Sequence, residues 1–165
     1  MTEKDIQNTL YRKFLCRNFK YMFNNVYFYN WESDFLGIND NHYTHEFEIK
    51  ISRSDFKADF KHKIAKHGLL KTGHLSPSMD DKAKYGANGV KDLRRRPNYF
   101  SYVVPKGLVK ESEVPEYAGL YYVHESGEVE LIRKGKRMQC GKVESHRFHK
   151  LLISTYHKFW NNQFK

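Results

Sequence analysis

The segment Thr44-His45-Glu46-Phe47-Glu48-Ile49-Lys50-Ile51-Ser52 constrains the fold more than any other in this chain. Apolar and polar residues alternate through it. Phe47, Ile49 and Ile51 leave one face; Glu46, Glu48, Lys50 and Ser52 leave the other, as in a half-exposed strand. A helix follows with no spacer. Ser52 and Ser54 both have N-cap chemistry, and Ser52-Arg53-Ser54-Asp55 has capping-box spacing with Asp in place of Glu or Gln. Phe56, Phe60 and Ile64 then recur at helical spacing, and the helix is expected to fade near His67-Gly68. A strand that runs straight into a helix belongs to an α/β chain.

The flanking segments extend this pattern. Ile6, Leu10 and Phe14, with Leu15, Phe19 and Met22 on an adjoining stripe, predict a first helix that stops at Asn24-Asn25. The β-branched and aromatic run 26–31 predicts a strand, and 33–38 a second strand or the continuation of the first, with a turn at Asn39-Asp40-Asn41. Residues 68–96 are polar, basic and punctuated by Gly73, Pro77, Gly86, Asn88 and Gly89, which predicts a long insertion. Strands are expected at 99–104, closed by Pro105, and at 118–123. Ser126-Gly127 turns the latter into 128–133 as a hairpin. A final helix over 144–162 would bury Leu151, Leu152, Thr155, Tyr156 and Phe159. The expectation is one domain over residues 1–165, a mixed central sheet flanked by helices.

Charge narrows the partner. The 165 residues carry 29 Lys and Arg against 19 Asp and Glu, a formal charge of +10, and 16% are aromatic. Such a chain suits a polyanion, nucleic acid first, because phosphate contacts release counterions and bases stack on rings; charge alone reads equally as a soluble basic protein with no such partner. No apolar run approaches the roughly 20 residues of a membrane span. Met1-Thr2-Glu3-Lys4-Asp5 lacks the basic and apolar stretches of a secretory leader. Two cysteines, Cys16 and Cys140, make no disulfide framework, so a reducing cytoplasm is expected. The nine histidines have no zinc-ligand spacing, and no phosphate-cradling glycine loop is present.

Asp34, Glu48 and Lys50 form the leading constellation. Glu48 and Lys50 leave the same strand face, and Asp34 lies on the strand that pairs antiparallel through the 39–43 turn. Two carboxylates on adjacent strands make a hard-oxygen site suited to Mg²⁺. Such an ion activates water and polarises a phosphodiester, and Lys50 can stabilise the developing charge. Taken alone, E-x-K also reads as a cross-strand ion pair on a solvent face. Ser52 is a candidate for substrate contact as well as for the N-cap, and Arg53 adjoins it. Asp55 suits the helix dipole, and Asp59 should pair with a lysine. Lys82, Lys84, Lys91, Arg94, Arg95 and Arg96, and separately Lys134, Lys136 and Arg137, could line a phosphate track; each group alone also reads as a solvated loop.

The run Glu46-Phe47-Glu48-Ile49-Lys50-Ile51-Ser52-Arg53-Ser54-Asp55-Phe56-Lys57-Ala58-Asp59-Phe60 resembles the signature of the PD-(D/E)xK nuclease superfamily, and more narrowly the MmcB-like DNA-repair endonucleases. There an E-V-K strand runs into S-R-x-D-F-x-x-D, and a later strand ends in Val-Pro, as Val104-Pro105 does here. The resemblance implies a restriction-endonuclease-like αβββαβ core, with the hairpin and helix appended and the site at a fork in the sheet. It implies that Asp34 and Glu48 are the acidic positions and Lys50 the lysine. Asp34, Glu48 and the Ile49 carbonyl would hold Mg²⁺ or Mn²⁺. Ser33 stands where the pattern has Pro, and Glu32, of the same parity, rivals Asp34. For the carboxylate that the superfamily often adds on its first helix, only Glu3 and Asp5 qualify. The implied activity is hydrolysis of DNA phosphodiester bonds in repair, recombination or phage DNA processing, with a homodimer as one implied state. The alternative is a weak or inactive nuclease-fold module that binds nucleic acid or a protein.

Overall fold

The computed structural model describes residues 1–15, 17–73, 95–138 and 140–164. The chain forms α1 (Glu3–Phe14), β1 (Tyr21–Tyr27), β2 (Glu32–Ile38), β3 (Thr44–Ile49), α2 (Arg53–His62), α3 (Ile64–Thr72), β4 (Tyr99–Pro105), β5 (Gly119–Val123), β6 (Val129–Arg133) and α4 (Ser145–Gln163), with a 3₁₀ turn at Glu111–Glu113. One mixed sheet runs in the order β1-β2-β3-β4-β5-β6. The first three strands are an antiparallel meander; β3, β4 and β5 are parallel; β6 returns antiparallel. The expected mixed α/β domain is therefore present.

Local chemistry sets the element ends. Thr2 and Asp5 form a reciprocal capping box at the start of α1. That helix stops at Phe14, not at Asn24. Phe19 and Met22 continue its apolar spacing, but they reach the same cluster from outside the helix. Phe19 packs edge-on to Phe14 and Phe47. It also fills the space above Gly37, where a Cβ would lie 2.6 Å from its ring. The first strand accordingly begins at Tyr21, earlier than the 26–31 run, and contains Asn24 and Asn25, the latter at φ 52°. The second helix breaks at Lys63 (φ −112°, ψ 39°) and resumes as α3 past Gly68, until Gly73 ends it in the left-handed region. The insertion expected from residue 68 thus begins no earlier than 73, and 74–94 lies outside the described residues.

Helices cover both faces of the sheet. Ile6, Leu10 and Phe14 of α1 pack on Phe35, Phe47, Ile49 and Val103. On the other face, Phe56 and Leu70 of α2 and α3 meet Phe100, Tyr102 and Val104. Beside them Leu151 of α4 meets Phe23, Val26, Leu36 and Ile38. Hence the polar face of β3 is not a solvent face: Glu46 and Glu48 are 0% exposed and Lys50 6%. The parallel crossover from β3 to β4 lays α2 and α3 across it. Ile51, expected inside, is exposed because the chain has left the sheet. Of the stripe expected to be buried on the last helix, only Leu151 is buried; Leu152, Tyr156 and Phe159 are exposed. Helical spacing identifies a face but not whether a neighbour exists to cover it. Among the described residues no helix is long and apolar enough to cross a membrane.

Candidate active site

The pairing Phe35↔Phe47 and Leu36↔Glu46 sets Asp34 opposite Glu48. At this level the strands part. Asp34 Oδ2 accepts the Ile49 N–H at 2.8 Å, and the next N–H, of Lys50, donates to Val103 O on β4 at 3.1 Å. A side chain thus takes over from the β2–β3 ladder, and the sheet forks. Gln7 of α1 donates to the carbonyl of Asp34 at 2.9 Å and to Glu3 Oε1 at 3.0 Å. One of the two acidic residues available on α1 is therefore tied to the fork. Asp5 is occupied by its cap. Glu32 lies level with Tyr27 and is exposed, away from Glu48.

Three lysines converge on Glu48. Its Oε1 lies 2.9 Å from Lys50 and 2.5 Å from Lys63, and its Oε2 lies 2.6 Å from Lys66. Lys66 also reaches Glu46 Oε1 at 2.8 Å, which accepts the Trp31 indole N–H as well. Asp59 Oδ1 is 3.1 Å from both Lys50 and Lys63, an ion-pair distance without hydrogen-bond geometry. Asp59 Oδ2 accepts the Tyr102 hydroxyl and contacts His67 Nε2, each at 2.8 Å, and His67 Nδ1 contacts the Tyr117 hydroxyl. Asp55 stands 3.6 Å from Lys50. Lys66, Glu46, Glu48 and Asp59 are buried, whereas the Lys63 side chain is 36% exposed at the helix break.

The charges are unevenly matched. Burial favours neutral Glu48, but Lys66, Lys50 and Lys63 outweigh it and hold this carboxyl below its usual range. Asp59 is held far lower still, because its bond to His67 and the charges of Lys50 and Lys63 overcome burial. Lys50, Lys63 and Lys66 stay charged, their carboxylate partners outweighing desolvation. Burial raises Glu46 despite its pairing with Lys66, and Asp34 is raised as well. Burial, then the Glu48 charge, pushes its carboxyl up to about 7, against the opposing pull of the Ile49 N–H and Lys50. Two close carboxylates of which one lacks a matching charge are what a divalent cation satisfies.

The donor types fit Mg²⁺ or Mn²⁺: Asp34, Glu48 and the carbonyl of Ile49 are hard oxygens. The fit carries one condition. Among the described residues no group of three His, Cys, Asp or Glu is gathered for a metal, and both Glu48 oxygens are engaged by ammonium groups. An ion would take the place of Lys63, the most exposed of the three.

Ser52, Arg53, Arg95, Arg96, Lys136 and Arg137 have structural partners. Ser52 Oγ accepts the Asp55 N–H at 3.1 Å and is the N-cap of α2. Arg53 pairs with Glu113 and donates to Leu108 O. Arg95 pairs with Glu144, and Arg96 donates to the carbonyls of Leu69 and Leu70 near the end of α3. Lys136 pairs with Glu116. Arg137 stacks on Tyr43, where β3 begins, so the Lys134–Arg137 loop leads away from the fork. Lys82, Lys84, Lys91 and Arg94 lie outside the described residues. Sequence reasoning missed Lys63, Lys66, His67 and Tyr102. The signal for the lysines was their spacing on the helix after the N-cap; for Tyr102 it was an inward polar ring on the next parallel strand.

No family model and no curated protein matches the sequence. Among solved structures, the SPO1766 protein of unknown function from Silicibacter pomeroyi superposes with a TM-score of 0.50 at 16% sequence identity. The match covers 86% of this chain and 76% of that chain. At that identity the likeness shows the fold alone, an α/β architecture shared by the two proteins.

Proposed function

We propose that this protein is a metal-dependent nuclease that hydrolyses DNA phosphodiester bonds in the cytoplasm, in repair, recombination or phage DNA processing. One observation carries the reading: at the fork Asp34 faces Glu48 with its charge unmatched, and Lys50 follows two residues on. The likeness of residues 46–60 to the PD-(D/E)xK signature supports it. A bound Mg²⁺ or Mn²⁺ would polarise the phosphate and lower the pKa of a bound water. The chain's own residues do the rest. Asp34 and Glu48 supply the oxygens, the Ile49 N–H orients Asp34, and Lys50 places a fixed positive charge beside the phosphate as negative charge builds. Two copies, each carrying one site, would serve both strands of a duplex, a state that sedimentation velocity reads.

The test is a cleavage assay with Mg²⁺ or Mn²⁺ on single-stranded, duplex and branched DNA and on RNA, beside a gel shift in Ca²⁺. Lys50→Ala should lower the rate on the order of 10² or more and leave affinity within a few-fold, since its charge matters most in the transition state. A second reading, a nuclease fold that binds nucleic acid or a protein without cutting, is favoured by one observation: lysines occupy both oxygens of Glu48. Tight binding with no cleavage under any of these conditions would select it.

A further inference from the structure

The last helix carries a feature the site does not use. Residues 145–165 include Arg147, Lys150, Lys158, Lys165, His146, His149 and His157, and no Asp or Glu. Between α4 and β1 runs a groove of about 390 Å³, lined on the helix by His146, Arg147, Lys150 and Lys158 and on the strand by Val26 and Tyr27. Tyr27 is 75% exposed within it. Tyr156, Phe159, Trp160 and Phe164 are also exposed on α4 but do not line this groove.

The groove reaches the fork. Lys158 Nζ donates to the carbonyl of Asn25. The pairs Asn24↔Phe35 and Val26↔Ser33 set Asn25 opposite Asp34. Lys158, at one end of the groove, therefore touches the residue that lies one strand spacing, about 5 Å, from Asp34.

We propose that this groove is a track for single-stranded nucleic acid that leads toward Asp34. Its acid-free lining matches a phosphate chain, and the open ring of Tyr27 matches an unpaired base, since a base stacked inside a duplex has no free face to offer. A second copy of the chain would set two acid-free helices against each other. The direction of the track rests on the nuclease reading; the binding itself does not.

The experiment measures fluorescence anisotropy of a labelled oligothymidylate with the full chain in EDTA, so no metal is involved. Binding to the parent is expected, with a duplex of equal length bound more weakly. Tyr27→Ala should weaken oligothymidylate binding roughly 5-fold or more. Lys150→Gln should reduce the log–log salt slope by about 0.7, the share of one single-strand phosphate contact. Both side chains are on the surface, and circular dichroism checks that each variant folds. The proposal is overturned if both variants bind like the parent, if duplex is preferred, or if no oligonucleotide binds at low salt. Binding of anionic phospholipid vesicles without oligonucleotide binding, or a dimer dissociated by Tyr27→Ala, would also overturn it. Cleavage with Mn²⁺ alongside unaltered variant binding would defeat the track and leave the nuclease reading standing. The expected variant losses without any cleavage would do the reverse.

Discussion

Glu48 shares three lysines with Glu46 and Asp59, while Asp34 beside it has too little positive charge. A divalent ion between them, as proposed above, would exchange an ammonium for a doubly charged cation. Lys63 is the ammonium that can leave, because it sits between two helices with its side chain partly in water. Lys63→Met should therefore tighten Mn²⁺ binding in calorimetry, and Asp34→Asn should weaken it severely. A Lys63→Met affinity equal to or below that of the parent would show that no exchange takes place. Acid and base act on His45 and Asp34 in opposite senses. His45, half-buried, stacked on Phe47 and bonded to Ser101, is pushed down to about 3 by desolvation. It stays neutral in the fold while the unfolded chain takes up a proton below about 6.5, so this stability is lost as pH falls from about 6.5 toward 3. Asp34, raised to about 7, holds a proton in the fold that the unfolded chain releases near 4, so its share is lost as pH rises from about 4 to 7. Urea titrations across pH should show His45→Gln gaining on the parent toward acid, and Asp34→Asn gaining on it toward neutrality. At this scale Asp34, Glu48 and Lys50 were legible because strand parity decides which side chains share a face. Lys63, Lys66 and Tyr102 were not, because a crossover and a helix break bring them in.

The elements show where periodicity informs and where it misleads. β3 and the start of α2 were readable because alternation and a serine cap are local chemistry, met as expected by Ser52 and Asp55. The end of α1 was not. Phe19 and Met22 lie in helical phase with Leu15, yet the chain has turned, and Phe19 instead covers Gly37. Gly37→Ala should consequently lower stability by about 1–3 kcal/mol in chemical denaturation, because the new methyl meets an aromatic ring in a packed cluster. An unchanged midpoint would mean that Phe19 moves aside freely. The last helix shows the converse. Its apolar stripe is real, but the sheet beneath it is only wide enough at Leu151, so most of the rings are left facing out. Periodicity reports the helix and not the extent of its neighbour.

For the whole molecule, the mixed sheet could be read from the order of elements, whereas the burial of the Glu48 cluster could not, because it depends on what lies over the sheet. The parallel pairing of β3 with β4 has a kinetic consequence. The β1-β2-β3 meander and the β5-β6 hairpin close over short distances, while β4 returns to β3 only after α2, α3 and the chain beyond them. Long closures are slow, so the local pieces assemble first. Until β4 docks, Tyr102 is absent from Asp59, and Glu46 and Glu48 face water, where pairing with lysine contributes little. The ion cluster then belongs to the last stage of assembly, after the rate-limiting barrier. In stopped-flow chevrons Lys66→Met and Tyr102→Phe should steepen loss of the native state by raising the unfolding rate at least about tenfold, while refolding stays within about twofold. Slower refolding in both variants would place the cluster in the folding nucleus instead. On this ordering a partly folded chain carries no competent site, and any nucleolytic capacity arrives only with the completed fold.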